Sequence, residues 1–141
     1  MSQLEKAIGI ALEAHRGQTD RGGHPYILHP LRLMTRMRTD EARIVAVLHD
    51  VVEDSDWTLE KLRAAGFSEE VVSGVDALTK RQGETYDEQV SRAAAHPLAR
   101  EVKLADLEDN MDLRRQGEVT EKDLPRLNKY RRGWERIAGI R

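Results

Sequence analysis

The sequence of 141 residues contains no cysteine. That absence excludes disulfides, thiolate zinc sites and cysteine nucleophiles together, and it agrees with a reducing, cytoplasmic setting. Aromatic residues are scarce, at two Trp, three Tyr and one Phe. With 39% apolar and 34% charged residues, the composition is that of a helix-leaning soluble chain. A surplus of one charge sign is also missing: 23 Lys plus Arg stand against 25 Asp plus Glu, a net of −2. A chain so balanced exerts no long-range pull on nucleic acid or an anionic membrane, so neither is an expected partner. No long apolar run is present. The opening stretch is interrupted by Glu5, Lys6 and Glu13, and reads as neither a signal peptide nor a membrane span. Repeats, low-complexity tracts and Ser- or Gly-rich linkers are absent as well. The length fits one domain spanning residues 1–141, large enough to bury roughly two thirds of its unfolded surface.

What is present is helical periodicity. Leu4, Ile8, Ala11, Leu12 and His15 recur at spacings of three and four and form one face of an opening helix. Three glycines and a proline between Gly17 and Pro25 mark a loop. A second helix is expected to start near Pro25 or Tyr26 and to carry Ile27, Leu28, Leu31 and Met34. A third, with Asp40 as N-cap, carries a continuous stripe of Ile44, Val45, Leu48, His49 and Val52. Two shorter helices follow Thr58 and Ser68, broken at Gly66. Tyr86–Ala95 and Ala99–Leu113 give two more across the His96-Pro97 breaker. A last amphipathic helix over 124–141 presents Leu127, Tyr130, Trp134 and Ile137 on one side. It either closes the core or covers a contact with a second copy of the chain. Sustained strand alternation is absent, so the fold class is an all-α bundle of about seven or eight helices.

Charge is uneven along the chain. Between Asp40 and Glu60 acids dominate, with Arg43 the lone base, whereas from Arg126 onward bases dominate, with Glu135 the lone acid. The basic tail, like Arg114-Arg115, reads as a solvated face, with contact to phosphate groups as the alternative. The acidic stretch surrounds a histidine on the apolar stripe. In His49-Asp50-Val51-Val52-Glu53-Asp54, residues one helical turn apart bring four titratable groups onto a limited arc. Three carboxylates that close repel, and a bound cation is the simplest compensation. On that segment alone, an exposed acidic helix end with one core histidine is the simpler account.

His29, on the inward side of the second helix, and Asp106, with Asn110 one turn later, shift the balance. Two imidazoles and two carboxylates from three helices make a mixed nitrogen and oxygen donor set. Such a set suits Mn, Fe, Co or Zn better than Ca or Mg, and it leaves room for water and a substrate oxygen. His15, His24 and His96 read as structural or exposed. Gly22-Gly23 lacks the spacing of a phosphate-binding glycine loop.

The order His29 … His49-Asp50 … Asp106 resembles the pattern of the HD superfamily of metal-dependent phosphohydrolases. Its flanks sharpen the likeness: Ala14-His15-Arg16-Gly17-Gln18, Pro25-Tyr26-Ile27-Leu28-His29-Pro30, Leu48 to Asp54, Leu78-Thr79-Lys80, and Lys103-Leu104-Ala105-Asp106 with Asn110-Met111. These segments are similar to the hydrolase domain of RelA/SpoT-type proteins, which degrade the stringent-response alarmone (p)ppGpp. The likeness runs from the first helix to about Leu113. It implies a single HD-type helical hydrolase domain of the stand-alone small alarmone hydrolase kind. In that family His29, His49, Asp50 and Asp106 would hold one divalent ion, usually Mn²⁺. Glu53 and Asp54 would orient and deprotonate the attacking water, and Arg21 and Asn110 would contact the nucleotide. The implied reaction removes the 3′-pyrophosphate. The alternatives are an HD phosphohydrolase for a different nucleotide or phosphate ester, or a non-catalytic nucleotide-sensing HD domain.

Some positions depart from the family. Asp20 stands where a base is usual before Arg21, Asp109 and Asp112 replace neutral or basic residues, and Leu113 replaces a hydroxyl. Fresh carboxylates beside a polyanion are expected to weaken its binding.

Overall fold

The structure is a computed structural model that describes residues 1–139. Nine α-helices follow one another among these residues, and there is no β-strand. They are α1 (Gln3–Ala14), α2 (Leu28–Arg36), α3 (Asp40–Leu48), α4 (Val51–Asp54), α5 (Leu59–Ala64), α6 (Glu69–Leu78), α7 (Tyr86–Ala94), α8 (Pro97–Asn110) and α9 (Leu124–Ala138). The one-turn α4 apart, this is the expected all-α bundle. The final residues 140–141 of the expected last helix lie outside the described residues.

Local chemistry accounts for most helix starts. Ser2 with Glu5 and Thr85 with Glu88 form capping boxes for α1 and α7, and the side chains of Thr39, Thr58 and Ser68 cap α3, α5 and α6. Asp40 is therefore the first helical residue of α3, not its cap. At the α7–α8 junction His96 is the cap and Pro97 the first helical residue, where a missing N–H costs nothing. Helix α2 begins at Leu28 rather than near Pro25. The backbone of Tyr26 is held in the preceding loop by its N–H bond to the Gln18 carbonyl, and Thr19 and Pro25 form an isolated bridge.

The largest departure from the expected pattern is at the third helix, which does not run through His49. It ends at Leu48, and Asp50 adopts φ −107°, ψ 0° before α4 starts. On a continuous helix, adjacent side chains do not face one another. The break re-aims Asp50, so that its Oδ2 lies 3.0 Å from His49 Nε2.

Helix α3 is the central element. From Ile44 to Leu48 it is buried all round, and it packs against α1, α2, α6 and α8. A second, smaller apolar cluster joins α7, α8 and α9 through Val90, Leu107 and Ile137, with Tyr86 and Trp134 at its edge. Gly133 permits that docking, since a Cβ there would come within 3.1 Å of the Tyr86 hydroxyl and 3.4 Å of Leu107. Helix α9 thus closes an apolar cluster against α7 and α8.

Candidate metal centre and adjoining cavities

Four elements converge at one end of α3. Helix α2 supplies His29, the end of α3 supplies His49, the bend before α4 supplies Asp50, and α8 supplies Asp106. His29 is 2% exposed and His49 3%. One donor atom each from His29, His49 and Asp50 lie within 4.8 Å of one another. Asp106 Oδ1 is 2.8 Å from His29 Nε2 and 3.5 Å from His49 Nε2. All four residues expected at a metal site are therefore brought together.

Hydrogen bonding shows which ligand the cluster fits. His49 Nδ1 lies 2.7 Å from the Ala46 carbonyl, which only accepts, so Nδ1 carries the proton. His29 Nδ1 lies 2.6 Å from Asp109 Oδ2. Both Nε2 lone pairs then face the carboxylates of Asp50 and Asp106, acceptor against acceptor. His49 Nε2 is buried without a hydrogen-bond partner among the described residues. Without a cation, the arrangement draws protons instead. Burial opposes charge on both imidazoles, but the neighbouring carboxylates outweigh it and raise both pKa values. Burial would likewise raise Asp50, yet the His49 imidazole holds it at about 2. Lys103 and the two histidines keep Asp106 well below the usual carboxylate range. The donor set therefore fits a divalent ion that shares nitrogen and oxygen ligands.

The next groups out are ordered. Tyr26 donates its hydroxyl proton to Asp50 Oδ2. Lys103 Nζ sits 3.2 Å from Asp106 Oδ2, and the Asn110 amide donates to Asp106 Oδ1 at 3.2 Å. Glu53 faces the same cavity of about 360 Å³, which His29, Asp50, Asp106, Lys80, Lys103 and Lys129 also line. The Lys80 backbone N–H donates to Glu53 Oε1. Partial burial, then the charges of Asp50 and Asp54, raise the Glu53 pKa. Asp54 is raised by burial and by Asp50, but it lines the neighbouring depression beside Lys80 and Arg81, not this cavity.

A second cavity, of about 280 Å³, adjoins the first and shares Tyr26, Asn110 and Tyr130 with it. Arg21 is here, as are Arg115 and Arg126. Sequence reasoning missed most of this wall. The solvated face expected of the tail is present at Arg131, which is exposed and paired with Glu135. Arg126, Lys129 and Tyr130, however, turn toward the two cavities. Their spacing of three and four on one helix was the available signal. Arg114 is solvated as expected, whereas Arg115 is held between Asp109 and Asp20.

The carboxylates expected to repel a polyanion are already occupied. Asp20 accepts the backbone N–H groups of Gly22 and His24 and pairs with Arg115 at 3.4 Å. Asp112 pairs with Arg114 at 2.8 Å. Asp109 is 0% exposed and lies among His29, Arg32 and Arg115. Each of these added charges thus faces a cationic partner that the sequence alone does not show. His15 and His96 are structural, bonded to Gln18 and Ser73, and His24 is exposed.

A family model described as "HD domain" matches residues 7–110. A GTP pyrophosphokinase of Streptomyces coelicolor is 38% identical over 124 residues, covering 79% of this chain and 14% of that protein. A guanosine-3′,5′-bis(diphosphate) 3′-pyrophosphohydrolase of Vibrio cholerae is 38% identical over 122 residues, 77% of this chain and 17% of its own length. The chain thus spans less than a fifth of these curated relatives. A solved structure of a metazoan ortholog of SpoT, described as hydrolysing ppGpp and playing a role in starvation responses, superposes with a TM-score of 0.80. It covers 97% of this chain and 85% of the other at 24% identity, a likeness of fold. No helix among the described residues is long and apolar enough to cross a membrane. With the histidine and aspartate cluster in the matched span, this chain belongs to the HD domain family.

Proposed function

We propose that the chain is a divalent-metal-dependent pyrophosphohydrolase that removes the 3′-pyrophosphate from (p)ppGpp or a similar nucleotide, with residues 1–141 acting as one hydrolase domain. The observation that carries this reading is the convergence of the Nε2 atoms of His29 and His49 with the carboxylates of Asp50 and Asp106. His29, His49, Asp50 and Asp106 would hold the ion, with Mn²⁺ the metal of choice. When bound, such an ion lowers the pKa of a coordinated water and offsets charge on phosphoryl oxygens.

The chain's own residues supply the rest. Glu53 faces the cavity with a pKa raised by burial, which suits a group that must take a proton from water. Asp54 contributes through its charge, which helps keep the Glu53 pKa raised. Lys80, Lys103 and Lys129 surround the space beside Glu53 and would meet the pyrophosphate oxygens. Asn110 stands between the two cavities, and Arg21 and Arg126 offer cations to the remainder of the nucleotide. The order of groups from an acidic metal end to a cationic end matches a substrate with phosphates at both ends of a nucleoside. The names of the relatives, which include a 3′-pyrophosphohydrolase, support the same substrate class.

The test uses chelator-stripped protein resupplied with Mn²⁺ and offered ppGpp, pppGpp and a panel of other nucleotides. Metal-restored release of pyrophosphate from the guanosine tetra- or pentaphosphate is expected. No bound metal and no hydrolysis across the panel would overturn the reading.

A further inference from the structure

Among the described residues, Asp109 is the most buried carboxylate outside the expected metal ligands, and the proposed reaction does not use it. Its side chain is 0% exposed. Arg32 grips both oxygens, with Nε 2.9 Å from Oδ1 and Nη2 3.1 Å from Oδ2. Arg115 adds a contact to Oδ2 at 2.9 Å and also donates to the Asp109 carbonyl at 2.7 Å. A carboxylate held by two guanidinium groups remains an acceptor. The remaining contact, 2.6 Å from Oδ2 to His29 Nδ1, therefore requires the proton on Nδ1. His29 is left with one arrangement, in which Nε2 points at Asp106 and the space between the two histidines.

We infer that Asp109 is a positioning residue for His29, fixing the ring and its tautomer so that Nε2 alone is offered to a metal ion. This inference rests on the metal-site reading above. The arrangement has a physical rationale: a carboxylate on the far nitrogen of a ligating histidine orients the ring and strengthens its donor atom. It also recasts Asp109, which the sequence presents as an added negative charge near the substrate. The same carboxylate acts on the metal side of the site, behind His29. His49 has a weaker counterpart, since its Nδ1 is held by the neutral Ala46 carbonyl. The two imidazoles are thus supported unequally, and His29 should be the stronger donor.

The test titrates Mn²⁺ alone into the full chain by calorimetry, comparing the unmodified protein with Asp109→Asn and Asp112→Asn, each checked by thermal melting. Asp109→Asn should weaken Mn²⁺ binding about 10- to 100-fold, because an amide facing two guanidinium groups cannot satisfy them and His29 together. Asp112→Asn, which alters a nearby acid paired only with Arg114, should leave the affinity unchanged. A purely structural Asp109 would lower the melting temperature without moving the affinity of the folded protein, and that result would overturn the inference. A second measurement needs no variant. With diamagnetic Zn²⁺ bound, long-range ¹H–¹⁵N spectra of the unmodified protein should show His29 protonated at Nδ1 and ligated through Nε2. Ligation through Nδ1 would overturn the inference even if Asp109→Asn fails to fold. Failure of the unmodified protein to bind either metal would instead remove the metal-site reading, and this inference with it.

Discussion

The cavity around His29 and the cavity beside Arg21 share three wall residues, yet they are built from opposite materials. The first is framed by α2, α8 and the bend at Asp50, and its Asp106 carboxylate is held by His29, Lys103 and Asn110. Its pKa values are displaced in opposing directions, with Asp50 and Asp106 lowered and Glu53 raised. The second is framed by a glycine-containing loop and one face of α9, and its cations are held by a few local partners such as Asp123 and Gln116 for Arg126. A preorganised, partly dry cluster suits chemistry, where charge must be met without rearrangement. A cationic rim near solvent suits recognition, where binding is adjusted by individual contacts. On the proposed function, turnover would belong to the first cavity and substrate preference to the second.

Changes in the first cavity should have the largest effects. His49→Ala or Asp106→Ala should lower metal-dependent hydrolysis by about a thousandfold or more, since several kcal/mol of metal-supplied stabilisation disappear. Steady-state rates at saturating Mn²⁺, with bound metal measured in parallel, check this. Glu53→Gln should lower kcat by about 10²- to 10⁴-fold while metal content is retained, which separates proton transfer from ion binding. Equal loss of metal and rate would place Glu53 among the ligands instead.

Substitutions on the rim should divide differently between the kinetic constants. The pair Arg21→Ala and Arg126→Ala, both on the second cavity alone of the two, should raise KM about three- to tenfold with kcat nearly held, as expected for contacts made equally before and during the reaction. A fall in kcat alone would break the proposed division between the cavities. The smallest effect concerns stability and belongs to the support behind Glu53. Arg92 pairs with Glu84 at 2.7 Å and donates to the Thr79 carbonyl beside Lys80, whose N–H meets Glu53. The Arg92 guanidinium holds the Glu84 pKa at about 2, below its ordinary 4.5. A group lowered on folding stabilises the protein above its unfolded value, and that contribution is lost as pH falls from about 4.5 toward 2. Thermal melts across this range should therefore show a shallower acid decline in Glu84→Gln than in the unmodified protein.

The fold was largely legible because the sequence repeats apolar residues at helical spacing and marks helix starts with Ser and Thr. Boundaries slipped where long-range contacts decide them. The bend at His49-Asp50 lies within an unbroken apolar stripe, and nothing local announces it. Tyr26, 24 residues away along the chain, bonds Asp50 there. The gathering of His29, His49, Asp50 and Asp106 was legible because each sits on or beside an apolar face. Arg21 and Asn110 do face a common cavity, and Glu53 faces the cluster. That Arg115, Arg126 and Lys129 turn toward the cavities was not decided by the sequence, since a basic residue on an amphipathic helix looks alike whether it meets water or a cavity. The pairing of Asp20 and Asp109 through Arg115 was hidden for the same reason. Charge type is written in the sequence, but the partner that neutralises it is fixed only by tertiary packing.

On the proposed function, one divalent ion held by two histidines and two aspartates drives pyrophosphate release. Its most direct test is titration of Mn²⁺ into chelator-stripped protein while pyrophosphate release from ppGpp is followed. Activity should rise from zero and saturate at one ion per chain, with one pyrophosphate formed for each nucleotide consumed. Release at the same rate in chelator, or no release at any Mn²⁺ concentration, would contradict it.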